Sequence, residues 1–388
     1  MIQRKADRWG AVDTGLVGRA LSLDDIEADV RQIWSCVDMS NAHDLNGFHP
    51  TACPICSSLF LKGLHSLTAE QAANAFVPVD RDEGVHASLK RNIEGLWKGP
   101  SCEVVHCDNC QFAFPIPYVG GDKEFYELAY GVPSYPHHRW EYDRAIESLK
   151  SLALSASPRL LELGAGVGQF IKMLLTVPAF QADRIVATDF SLYSVAELRK
   201  LGVDARRSSV FELAASRENH SLFDAVCAFQ SIEHMADIKG VMTALIDIVK
   251  PKGLIILSVP HGPAIDFNER HLRCLDMPPN HVGRWYRQTF EMLAEKTGLE
   301  LVTHEIEPRR WFQLLQDAMV FHVHGVSASK PGSLARRAQG IRNRHVRRMF
   351  SAAIGSVMLV PLLPTLLRMD SGYAQLAVFR TMPQRTEQ

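Results

Sequence analysis

The chain has almost no net charge: 42 Lys and Arg against 43 Asp and Glu leave −1 over 388 residues. That balance argues against a binder held to nucleic acid mainly by electrostatics. No continuous apolar segment follows the basic residues of MIQRKADRWGAVDTG, so no secretory signal is expected. Internal repeats and low-complexity tracts are lacking, which argues against solenoids and disordered linkers. Cysteine is scarce, with 8 in the chain, too few for a disulfide scaffold. What is present, 46% hydrophobic and 22% charged residues, is the composition of a globular protein of two or three domains. A cytoplasmic enzyme is the starting expectation.

Changes of pattern divide the chain. Residues 1–50 form an acidic extension in which SLDDIEADVRQIW reads as one capped helix from Ser22, with no function assigned to it. Residues 51–118 hold two CxxC pairs, Cys53 with Cys56 and Cys107 with Cys110, and little periodicity, which suits a small module organised around an ion. Four thiolates without an open position read as a structural Zn2+ site. A redox CxxC normally opens a helix in a thioredoxin-like unit, and neither pair has that setting. Cys36, Cys102, Cys227 and Cys274 read as lone small apolar residues.

From about residue 138 apolar runs alternate with amphipathic stretches, the signature of an α/β parallel sheet covered on both faces. Strands are expected at Arg159–Leu163, Arg184–Asp189, Phe223–Phe229 and Gly253–Val259, then in GLELVTHEIE, and finally in GYAQLAVFRT near the C-terminus. The stretch between the last two is too long for a loop and should be an inserted helical element. The expected divisions are therefore 1–50, 51–118, a core at 119–308, an insertion at 309–370, and the last strand with its tail at 371–388.

The sharpest signal is RLLELGAGVGQF. An apolar strand ending in Glu162 runs into Gly164, Ala165, Gly166 and Gly168, and a helix follows. Absent side chains let a ligand approach backbone amides at a helix N-terminus. The spacing is GxGxG, with Gln169 where a dinucleotide fingerprint needs its last glycine, which favours S-adenosylmethionine over NAD. Asp189 closes the next strand at the interval where such units present an acid to ribose hydroxyls, although it could equally cap the following helix in competition with Ser191.

ELGAGVG, VATDFS, FDAVCAFQSIEHMAD and LIDIVKPKGLIILSVPH resemble the successive motifs of class I S-adenosylmethionine-dependent methyltransferases, nearest to the ubiquinone-biosynthesis O-methyltransferase type. The resemblance implies a Rossmann-like seven-stranded sheet. It implies a cofactor lined by Glu162, Gly164, Ala165, Gly166, Gly168, Asp189 and Phe190, with Gln230 and Ser231 near its methionine end. Where many relatives carry an acid beside the adenine this chain has Ser209, which leaves that contact to backbone, Val210 and Phe211. CEVVHCDNCQFAFPIPYVGGDKEFYELAYG resembles the zinc-binding segment ahead of some bacterial methyltransferase domains, including sugar C-methyltransferases.

Methyl transfer from a sulfonium needs alignment and exclusion of water, and a base only for a weakly acidic acceptor. His234, directly after the fourth strand, is the first expectation for that base, with Glu233 to orient it and His261 second; His281 also follows a motif. A capping or hydrogen-bonded structural role stands beside the catalytic one for each histidine. Tyr126, Tyr130, Tyr135 and Trp140 are read as packing.

Within the insertion, KPGSLARRAQGIRNRHVRR carries no acid and precedes the uncharged MFSAAIGSVMLVPLLPTLL. That order suits either a helical lid or a peripheral contact of residues 330–368 with the inner membrane face. It equally suits an anionic substrate. The expected function is methyl transfer to a small molecule, plausibly a sugar nucleotide, glycan or lipid-linked intermediate. A non-catalytic zinc-containing scaffold and an RNA or protein methyltransferase are the alternatives.

Overall fold

The computed structural model describes residues 52–130, 138–153, 157–273, 275–330, 332–369 and 371–383. The Ser22 helix, Tyr135, Cys36 and Cys274 lie outside the described residues.

The amino-terminal module is an antiparallel sheet in the order β1 (Leu61–Thr68), β2 (Ser101–Cys107), β3 (Ala113–Ile116). Two helices connect β1 to β2. Ala69–Phe76 starts at a capping box in which Thr68 and Gln71 exchange hydrogen bonds, and Glu83–Trp97 starts where Asp82 accepts from the Val85 amide. The second helix buries His86, Leu89, Ile93 and Trp97, three or four residues apart, against Leu67, Val104 and Phe125. Besides the ion site the module thus has an apolar core, which Phe125, Tyr126 and Met277 from later in the chain help to close. Its cysteine end belongs to a second core, shared with the large sheet, in which Cys53, Cys107, Cys110, Phe112 and Phe114 pack with Trp285 and Phe290. Ala113 and Arg284 also exchange backbone hydrogen bonds, so no clean linker follows residue 118.

Among the described residues the large sheet has seven strands: β4 (Leu160–Leu163), β5 (Ile185–Thr188), β6 (Asp204–Arg206), β7 (Phe223–Phe229), β8 (Val249–Pro260), β9 (Glu300–Pro308) and β10 (Ser371–Arg380). Their order is β6-β5-β4-β7-β8-β10-β9. The pairs from β6 through β8 are parallel, and β10 is antiparallel to both its neighbours. Alternation divides the strands between two cores. Leu161, Leu163, Val226, Ala228, Ile255 and Leu257 face one side, and Leu160, Ala225, Cys227, Leu254 and Ile256 the other. The sequence reading passed over β6 because three residues, two of them charged, make no apolar run.

The insertion is helical, as expected: Trp311–Ser329, Leu334–Gln339, Arg344–Leu359 and Leu363–Leu366. It leaves the sheet at the end of β9 and returns at the start of β10, which places it at the carboxyl edge where open α/β sheets bind ligands.

Candidate functional site

The loop after β4 turns through left-handed backbone at Gly164, Gly166 and Gly168, with φ of 65°, 53° and 76°. At Gly168 a Cβ would also come 2.7 Å from Leu201 and 2.8 Å from Leu198, so helix Gln169–Leu174 packs closely only with glycine there. Asp189, buried at the end of β5, braces this loop. One carboxylate oxygen accepts from the Gly166 amide at 2.8 Å and the other from the Ser191 amide at 2.8 Å. Ser191 is the cap of helix Leu192–Arg199, accepting from Ser194 N, so the acid is left to hold the loop. Ala165 N donates to Thr188 O at 2.9 Å, which tethers the loop to β5.

Beneath the loop lies Glu162. Burial, and then the charge of Asp189, push its carboxyl well above the usual range. Its Oε2 is buried without a hydrogen-bond partner among the described residues, and with the glycine cradle this fits a bound polar ligand. Ser209 is spent on capping: it exchanges hydrogen bonds with Glu212 at the start of helix Val210–Ala215, which buries Val210 and leaves Phe211 exposed. The Phe190 carbonyl accepts from Arg207. Gln230, left-handed at φ 50° past the end of β7, donates its side-chain amide to Ser258 Oγ at 3.1 Å and Glu141 at 3.3 Å. Ser231 is fully buried beside it.

Further along the same edge a second polar group forms. His261 is held by Tyr373 O through its backbone, and its Nδ1 lies 3.2 Å from Ser371 Oγ. Glu307, near the end of β9, accepts from the Tyr373 and Ala374 amides at 3.1 and 3.3 Å. Burial, then the charge of Glu141, raise its carboxyl to about 7. Sequence reasoning missed Glu141 and Glu307. Each sits in an ordinary amphipathic pattern, and the only signal for Glu307 is its place at the strand end that meets the insertion.

Glu233 and His234 follow β7 directly, in the turn Ile232–His234, and both are 0% exposed. His234 Nδ1 lies 3.0 Å from Asn280 O, and burial, then His281, hold the ring well below its ordinary value. Burial opposes the charge on His281, but Asp276, 2.7 Å from its Nδ1, outweighs it and the ring is raised. Burial lifts the Glu233 carboxyl to about 8, while its backbone carbonyl accepts from Val282 and Gly283. Donor atoms of Glu233, His234 and His281 lie within 4.8 Å of one another, a set able to hold a metal ion. The arrangement fastens segment 276–284 against the turn after β7, which gives His234 a structural contact whatever its part in turnover. His234→Ala should lower folding stability by about 1–2 kcal/mol in denaturant titration. Turnover of the folded protein should stay within a few-fold, and a large loss of turnover at unchanged stability would return the base to His234.

The four cysteines converge. Cys53 and Cys110 Sγ are 3.5 Å apart, Cys56 and Cys107 Sγ 3.6 Å, and all four sulfurs lie within 4.8 Å of one another. Sulfurs placed tetrahedrally around zinc at about 2.3 Å are about 3.8 Å apart. The two turns match: Ser57 N donates to Cys53 O and Gln111 N to Cys107 O, with left-handed backbone at Ser57 and Gln111. Cys102 and Cys227 are buried apolar-type residues whose thiols burial pushes up, as expected of lone cysteines. Tyr126 and Tyr130 pack together, with ring centres 6.5 Å apart.

A family model described as a methyltransferase domain matches residues 137–304. A ubiquinone biosynthesis O-methyltransferase of Xanthomonas axonopodis pv. citri is 31% identical over 132 residues, 32% of this chain and 52% of the relative. The chain thus spans about half the length of the curated relative it matches. Among solved structures, a putative sarcosine dimethylglycine methyltransferase from Galdieria sulphuraria is similar at TM-score 0.39 and 15% identity, over 62% of this chain and 85% of that one. An S-adenosylmethionine-dependent methyltransferase from Archaeoglobus fulgidus gives TM-score 0.39 and 13% identity, over 62% and 94%. Residues 137–304 thus match a methyltransferase domain, and the sheet order and glycine loop agree with that match.

Proposed function

We propose that the chain methylates a small anionic acceptor, in the class of sugar nucleotides, glycans or lipid-linked intermediates, using S-adenosylmethionine. The observation that carries the reading is the Asp189 carboxylate bonded to the loop amide of Gly166 at the carboxyl edge of this sheet. Gly164, Ala165, Gly166 and Gly168 would line the cofactor, Asp189 would accept from its ribose hydroxyls, Glu162, Phe190 and Val210 would flank it, and Gln230 and Ser231 would lie at its methionine end. When bound, the cofactor supplies a methyl group activated on a sulfonium. The chain's own residues align the acceptor and keep water out. Gln230 is fixed by Glu141 and Ser258, and Glu307 can take a proton from an acceptor hydroxyl near neutral pH. Anionic character is supported by Arg139, which bonds Glu141, and by Arg310, whose charge acts on Glu307. Zinc at the four cysteines completes the reading as a structural ion.

Calorimetry with S-adenosylmethionine and its demethylated product tests the cofactor claim. Micromolar dissociation constants are expected, and Asp189→Ala should weaken binding by about 1–2 kcal/mol, roughly tenfold, as charge-assisted bonds are lost. Heat of binding from NAD and none from S-adenosylmethionine would overturn the assignment.

A further inference from the structure

The helical run Arg344–Leu366 is long and apolar enough to cross a membrane, yet only 17% of its most apolar stretch is buried. Its two faces explain the figure. Ile354, Gly355, Met358, Leu359, Leu362 and Leu366 turn inward and pack on helix Trp311–Ser329 and on Phe267 and Leu272. At Gly355 a Cβ would come 2.9 Å from Met319 O, so the two helices meet at backbone distance there. The opposite face is also apolar: Val346, Met349, Phe350, Val357, Val360, Leu363 and Leu367 recur at three- and four-residue spacing and are exposed, Met349 and Val357 to 73%. A helix covering a soluble core keeps its polar residues outward, and this one does not.

The run cannot cross a bilayer. At one end Arg336 is bonded to Asp80 and Asn74 of the amino-terminal module. At the other, Leu366 is in the core beside Phe267, and β10 enters the sheet from Ser371. Both ends are therefore anchored in one folded body, which leaves the helix lying flat. Charge selects the occupant. From Lys330 to Met369 the sequence has no Asp or Glu, and Lys330, Arg337, Arg342, Arg344 and Arg368, at or around the helix ends in sequence, are all exposed. A contiguous exposed apolar stripe marks an interaction surface, and one in an acid-free segment rich in exposed cations complements anionic lipid headgroups.

We propose that helix 344–366 docks in the plane of an anionic lipid surface, with the Val346–Leu367 face entering the acyl boundary and the arginines on the headgroups. This does not depend on the methyl-transfer reading. The test is flotation of the full chain with vesicles of phosphatidylcholine alone and with phosphatidylglycerol added. Partitioning onto anionic vesicles should exceed that onto neutral ones at least tenfold and fall with salt. Met349→Glu with Val357→Glu, both at exposed positions, should abolish it while thermal stability stays unchanged. Arg342→Ala with Arg344→Ala should weaken it and flatten its salt dependence. Equal recovery of wild type and the glutamate variant with the vesicles would overturn the proposal. So would a wild-type dimer in sedimentation that the glutamate variant abolishes without any vesicle binding, since the stripe would then face a second copy.

Discussion

Exchanging Cys107→Ser and Cys110→Ser together is expected to abolish zinc content, otherwise one ion per chain, and to lower the thermal midpoint of the whole chain by about 10 °C or more. A structural ion held by four thiolates normally contributes about 10–16 kcal/mol to a small domain that cannot fold without it. Here the loss is softened on one side and spread on the other. The module keeps a second core around Leu89, Ile93 and Trp97, away from the cysteines. The cysteines, though, lie in the core that Trp285, Phe290 and the strands of the large sheet share. Losing about 3–5 kcal/mol there would move the midpoint by about 10 °C for a unit of this size. Elemental analysis and calorimetry read the two effects, and a chelator should reproduce the second in wild type. Metal-free protein with an unchanged midpoint and four titratable thiols would refute the assignment.

Legibility in the sequence followed how local the physics was. β4, β5 and β7 were readable because both faces are buried, which leaves nearly continuous apolar runs. The GxGxG loop was readable because left-handed backbone selects glycine position by position. The cysteines were readable in pairs, since a tight turn fixes each pair's spacing, although their meeting across β1, β2 and two helices was an inference from chemistry. What failed was non-local. The core of the amino-terminal module is carried by Leu89, Ile93 and Trp97, a helical period hidden among Lys90, Arg91 and Glu94. His234 follows a strand end as read from the sequence, but its contact with the returning residues 276–284 could not be read there, since nothing near position 234 records that return. Glu307 faces the site only because β10 enters between β8 and β9 and offers it the amides of Tyr373 and Ala374.

That contrast sets the last expectation. Glu307→Gln should lower kcat by about 10²-fold with cofactor affinity within a few-fold, because glutamine keeps the shape and the acceptor oxygen but cannot take a proton. In wild type kcat/KM should rise with pH through about 7, where the Glu307 carboxyl ionises, and the variant should lose that limb. Stability runs in the opposite direction. A carboxyl whose folded value lies above its unfolded one, about 4.3, stabilises the fold fully below that lower value and loses the contribution as pH rises through about 7. Glutamine does not titrate, so the variant's thermal midpoint should gain on wild type between pH 5 and 8. At pH 8 the variant should therefore be the more stable protein and the less active one. A residue that only held β9 against β10 would lose stability and activity together. If Glu307→Gln keeps full turnover and the rising limb, proton transfer moves to His261, a second candidate base on that edge, and His261→Asn should then remove the limb.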